Sequence, residues 1–130
     1  MSTTITSNME DYLERIYLLI QEHRVARVKD IATSRGVKNP SVNNAIIELK
    51  KRGYVIQEPY GYVLLTKEGE VEAERILKRH KLLREFLLHL GVSEEVADED
   101  ACGMEHFLND ETLKAIDVFC KKQVKAKSKS

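Results

Sequence analysis

The feature that most narrows the fold is a change of hydrophobic period at Gly53. After it come two short apolar runs, Tyr54–Ile56 and Tyr62–Leu65, separated by Glu58-Pro59-Tyr60-Gly61. Runs this short around a Pro/Gly turn read as a β-hairpin. Before it, the apolar residues keep helical spacing. Met9, Tyr12, Leu13, Ile16, Tyr17 and Ile20 share one stripe over residues 8–23, with Ser7 as the expected cap and Glu10 as its capping-box partner. Residues 28–35 form a short helix closed by Gly36. Asn39-Pro40 supplies a cap and a first-turn proline for a helix to about Arg52, whose Val42, Ala45, Ile46 and Leu49 face inward. Downstream, Thr66 caps a long helix to about Leu90, Ser93 caps one through Phe107, and Asn109 or Asp110 caps a last one to about Lys122.

Helix, short helix, turn, helix, hairpin is the order of a winged helix-turn-helix. The fold class is therefore mainly α with a small β-hairpin wing: an N-terminal winged helix-turn-helix (1–70), a C-terminal helical domain (71–122), and a basic tail (123–130) expected to be disordered. With 130 residues, the chain is sized for one domain or two small lobes sharing a core. No apolar run approaches the ~18 residues a membrane helix needs. Two cysteines, at 102 and 120, do not make a disulfide framework. The expectation is a cytoplasmic protein with reduced thiols and no membrane partner.

Net charge is +0, but its distribution is uneven. Residues 28–55 carry six Lys/Arg against two acids, residues 92–111 carry eight acids and no Lys or Arg, and residues 121–130 carry five Lys and no acid. Such segregation points to two kinds of partner. In a major groove, the helix from Asn39 would offer Ser41, Asn43 and Asn44 to base edges, since an Asn amide matches adenine N6/N7. Arg27, Lys29, Arg35, Lys38, Lys50, Lys51 and Arg52 would meet phosphates, Asn39 joins the DNA-binding set at the start of the helix, and the hairpin tip, Tyr60 and Tyr62, would reach along the backbone. The bland alternative is a solvated polar face on packed helices.

Cys102, Glu105 and His106 stand at i, i+3 and i+4, which places a thiol, a carboxylate and an imidazole on one helical face. Asp11 and Glu14 are neighbours on the first helix, and His80 lies in the middle of RILKRHKLLREF. Taken singly, each is as readily a solvated or packed side chain. As a set, the donors suit a d-block divalent ion. They are too rich in N and S for Ca²⁺ or Mg²⁺ and too rich in carboxylate for a closed Cys/His zinc site.

The order and spacing of MEDYLERIY (9–17), the winged-helix segment, RHKLLREFLLHLGV (79–92) and DACGMEHFL (100–108) resemble the diphtheria toxin repressor and manganese transport regulator family. The resemblance covers about residues 8–120 and is to the short, two-domain members. It implies a metal-dependent repressor that binds operator DNA as a homodimer, with metal sites between the two domains. By position, Asp11 and Glu14 match first-helix ligands of the manganese branch. His80, Glu105 and His106 match ligands used across the family, and Cys102 matches the thiol of the iron branch. Arg84 and Asp98 replace the toxin repressor's ancillary-site pair, so that site is not implied. The mixed set leans to Fe²⁺ over Mn²⁺, and Co²⁺, Ni²⁺ or Zn²⁺ are expected to substitute in vitro. The apolar faces offered for dimerisation include Leu83, Phe86, Leu87, Leu90 and Phe107. A metallohydrolase reading with Glu105 as base lacks a nucleophile pattern, so no enzyme is expected; the alternative is a metal-independent winged-helix transcription factor.

Overall fold

A computed structural model describes residues 6–59 and 61–129, and their side chains as far as Lys125. Two compact units divide the chain, Met1–Arg75 and Ile76–Ser130.

In the first unit, α1 (Ser7–His23), α2 (Val28–Arg35) and α3 (Asn39–Lys51) pack around Leu13, Ile16, Ile31, Val42, Ile46 and Leu49, all fully buried. These are the positions that helical spacing turns to one side, and their burial drives the unit together. A three-stranded antiparallel sheet completes it, in the order β1 (Ala26–Arg27), β3 (Tyr62–Leu65), β2 (Val55–Gln57). Ala26 pairs with Val63 and Arg27 with Tyr62, while Val55, Ile56 and Gln57 pair with Leu65, Leu64 and Val63. The hairpin is as expected; β1 is an addition, a two-residue strand with no period of its own.

Local chemistry sets the ends. Thr6, rather than Ser7, caps α1: its hydroxyl accepts from the Met9 amide at 3.2 Å. Glu10 is not a capping-box partner. It is buried and pairs with Arg75 Nη2 at 3.7 Å. Asn39 already lies inside α3, with Lys38 at the cap position. Thr66 behaves as expected, its Oγ accepting from the Gly69 amide at 3.0 Å and donating to the Gly53 carbonyl at 2.6 Å. Gly69 is there because nothing larger fits: a Cβ on it would fall 1.9 Å from the Tyr54 carbonyl oxygen. That contact seats the first turn of α4 (Lys67–His89) on the link between α3 and β2.

The second unit holds the rest of α4 with α5 (Glu94–Met104) and α6 (Asp110–Lys129). Its core is Leu83, Leu87, Ala97, Ala101, Leu113, Ile116 and Cys120, with Phe86 and Phe119 packed against it edge to face, 5.7 Å between centroids. Ser93 caps α5 as expected. Two ends differ from expectation. α5 stops at Met104 rather than Phe107, leaving Glu105 as its C-cap residue. The segment 123–129, expected to be a disordered tail, continues α6, in keeping with the high helix propensity of Lys, Gln and Ala. The division between units falls after Arg75, five residues beyond the expected boundary at 70.

Candidate nucleic-acid interface and candidate metal centre

α3 presents a sorted surface. Val42, Ala45, Ile46 and Leu49 are buried, and Ser41, Asn43, Asn44 and Lys50 are exposed together with Lys38 and Asn39 at its start. The amides that could pair with bases thus stand on the outer face of the second helix of a helix-turn-helix. Gly36, at φ 70°, makes the turn that a residue with a Cβ would resist. Lys29 and Lys51 are also exposed; Lys51 lies 3.6 Å from Glu48, an open surface pair worth little. Arg27 and Tyr62, facing each other across β1 and β3, form a pair of their own. The guanidinium carbon lies 5.2 Å from the ring centroid, and Nη2 donates to the phenol oxygen at 3.4 Å. The strand pairing thus holds a cation at the base of the wing. Tyr60 lies outside the described residues.

Arg35 differs from the other nominated cations. It is turned inward onto Asn8, Asp11 and Tyr12 of α1 and is already committed within the unit. Its place at the end of a basic stretch hides this from sequence reasoning, and neither Asn8 nor Tyr12 carries a signal that would have revealed it.

In the second unit the structure brings together three of the six nominated donors. The Glu105 side chain is fully buried. His80, from the middle of α4, puts Nδ1 at 3.1 Å from Glu105 Oε2. His106 puts Nε2 at 3.5 Å from Oε1. Both imidazoles are largely sheltered, with side chains 20% and 6% exposed. Oε1 accepts no hydrogen bond among the described residues. An ionised carboxylate is rarely left so in a protein interior, because desolvation costs more than any neutral neighbour returns. Two imidazoles can neutralise it by holding a proton, or by sharing a cation with it.

Around this centre, Arg79 Nη1 donates to the Glu105 carbonyl at 2.9 Å and pins the end of α5. The only sequence signal for Arg79 is that it precedes His80. Asp98 Oδ1 lies 3.9 Å from His80 Nε2 and accepts from Arg84 Nε at 2.6 Å. Arg84 and Asp98 therefore satisfy one another. Cys102, exposed and in no disulfide, sits one turn before Glu105 on α5. Asp11 and Glu14 lie on one face of α1, half-buried. Cys120 is buried among apolar side chains, which pushes its thiol up, with the charges of Glu85 and Asp117 adding to the effect.

The apolar residues nominated for dimerisation divide. Leu83 and Leu87 are turned into the unit's own core and have no face to offer, and Phe86 is partly buried against Phe119. Leu90 (59% exposed) and Phe107 (81% exposed) remain on the surface.

Comparison with known proteins adds to this geometry. Residues 4–63 match the family model described as the N-terminal DNA binding domain of iron dependent repressors. Residues 66–126 match the model of their metal binding and dimerisation domain. The chain belongs to the iron-dependent repressor family. It is 41% identical over 120 residues to an uncharacterized HTH-type transcriptional regulator of Methanocaldococcus jannaschii, covering 91% of this chain and 96% of that one. It is 43% identical over 104 residues to the HTH-type transcriptional regulator MntR of Bacillus subtilis, covering 80% of this chain and 73% of MntR. Among solved structures it resembles IdeR of T. acidophilum, with a TM-score of 0.75, 32% identity and coverage of 89% of this chain. It spans about half the length of that solved chain, 53%. The family is one of metal-dependent transcriptional repressors, which fits both the winged-helix architecture and the division into two units. No described helix is long and apolar enough to cross a membrane.

Proposed function

We propose that this chain represses transcription as a homodimer on double-stranded operator DNA when Fe²⁺ or Mn²⁺ is bound by Asp11, Glu14, His80, Cys102, Glu105 and His106. The observation that carries the reading is the buried Glu105 carboxylate, with an imidazole toward each oxygen and one oxygen that accepts no hydrogen bond among the described residues. Imidazole, carboxylate and thiolate donors fit a d-block divalent ion, and Cys102 tilts the choice toward Fe²⁺. Such an ion supplies positive charge that lets several carboxylates approach one another without repulsion.

The chain's own residues do the rest. Ser41, Asn43 and Asn44 read bases, and Arg27, Lys29, Lys38, Lys50, Lys51 and Tyr62 hold phosphates. Exposed Leu90 and Phe107 supply apolar surface to the second copy. Metal and DNA must favour the same arrangement of the chain, so each raises the affinity for the other by an equal factor.

The test is a binding titration on a duplex selected from a randomised pool, run with Mn²⁺, anaerobic Fe²⁺, Co²⁺ or Zn²⁺, and with EDTA. The expected result is affinity lost to EDTA and restored by metal. Affinity untouched by EDTA would establish the metal-independent winged-helix factor instead.

A further inference from the structure

Arg35 is the last residue of α2, directly before the Gly36 turn that leads into α3. Its guanidinium grips three side chains of α1. Nη2 donates to Asn8 Oδ1 at 2.8 Å, Nη1 to Asp11 Oδ2 at 3.5 Å, and the guanidinium carbon lies 4.7 Å from the Tyr12 ring centroid. Asn8, Asp11 and Tyr12 follow i, i+3, i+4 spacing, so one flat cation covers one patch of helix. The Arg35 side chain is only 22% exposed, and its Nε is buried without a hydrogen-bond partner among the described residues. Partial removal from water strengthens its field at Asp11.

We propose that Arg35 is an internal cation that competes with the divalent metal for Asp11 and so raises the metal concentration at which the protein responds. The inference rests on the reading of Asp11 as a ligand. A carboxylate already neutralised by a guanidinium gains less from a second cation, and the arriving metal meets the positive charge of Arg35 beside its ligand. Should the guanidinium let go, it also leaves Asn8 and the Tyr12 ring, and the end of α2 loses these contacts to α1 one residue before the Gly36 turn. Arg35 therefore opposes metal capture through contacts that lie within the DNA-binding unit. Lysine at 35 would keep the charge but lose the fork, and glutamine would keep a donor for Asn8 but lose the charge.

The experiment measures Mn²⁺ binding to the full chain without DNA, from the EPR signal of unbound Mn²⁺. Arg35→Gln is expected to tighten Mn²⁺ binding about tenfold, within the usual range of coupling between ligands of one protein, with Arg35→Lys close to the parent. In an Asp11→Asn background Arg35→Gln should change nothing. With EDTA, a double-mutant cycle of Asp11→Asn and Arg35→Gln in thermal melts should show coupling between the two positions. Unchanged or weaker Mn²⁺ binding by folded Arg35→Gln overturns the proposal, as does additivity in the cycle. The ligand reading fails separately: Mn²⁺ binding that survives both Glu105→Gln and Asp11→Asn removes the site itself.

Discussion

Glu105→Gln is expected to reverse the order of stability between metal-free and metal-loaded protein. The substitution keeps the shape of a fully buried side chain and removes its charge. Without metal, the parent's Glu105 Oε1 accepts no hydrogen bond among the described residues. Replacing a buried carboxylate that faces neutral imidazoles by a neutral isostere removes a desolvation cost, whereas removing one member of a buried charged pair is strongly destabilising. With metal at a hundredfold above its dissociation constant, the parent gains about 2.7 kcal/mol that a variant unable to bind does not. The variant should therefore melt at or above the parent in EDTA, and below it in excess Mn²⁺ or Co²⁺. Differential scanning calorimetry of the two proteins under both conditions decides the matter. The result that refutes the reasoning is a variant several kcal/mol less stable in EDTA and shifted by metal as far as the parent. Glu105 would then be the fixed counter-charge of a protonated imidazole, and the cation would lie elsewhere.

Gly69→Ala should lower stability by about 2–3 kcal/mol, the upper part of the usual overpacking range, because its Cβ meets the Tyr54 backbone rather than a movable side chain; a urea melt of the full chain measures it. Cys120 should resist thiol reagents that modify exposed Cys102. Burial and then the Glu85 and Asp117 charges raise the Cys120 thiol in the folded state, and burial and then Glu74 do the same for the Tyr17 phenol. Both contribute stability that is complete below their unfolded-state values and lost as pH climbs through the raised ones. The protein should weaken on the alkaline side, and Cys120→Ala should remove part of that fall in melts recorded against pH. On the selected duplex, Asn44→Ala should cost about 1–3 kcal/mol and relax preference at one base pair. Lys50→Ala should weaken all duplexes alike and make the salt dependence shallower by about 0.9 in log–log slope.

What could be read from the residues follows what is local. The three-helix order, the hairpin, the Thr66 and Ser93 caps and the stops after α2 and α3 all rest on interactions within a few positions, where period and capping chemistry decide. β1 could not be read. Ala26 and Arg27 have no strand pattern, and they become a strand only because β3 offers them partners. The end of α5 misled for a related reason. Glu105 and His106 continue its apparent spacing, but the helix ends at Met104, where the Glu105 carboxylate meets His80 from α4. Tertiary contacts of this kind override local preference, and functional side chains are where the override is most often found.

The side chains show the same limit in charge. Arg35 and Lys38 look equivalent in a basic stretch, and only the fold separates them: Lys38 is exposed, while Arg35 faces a carboxylate, an amide and an aromatic ring of α1. The pattern Cys-x-x-Glu-His named Glu105 but not its distinction from the acids of α5, which are exposed. Exposure makes those acids electrostatically cheap, and burial makes Glu105 costly unless a positive charge joins it. A chain of zero net charge can therefore still carry a buried, cation-seeking carboxylate beside a run of exposed ones. Its identity is set by what packs around it, which is why Glu105, rather than the acidic run it belongs to, is the position whose substitution tests the metal reading most directly.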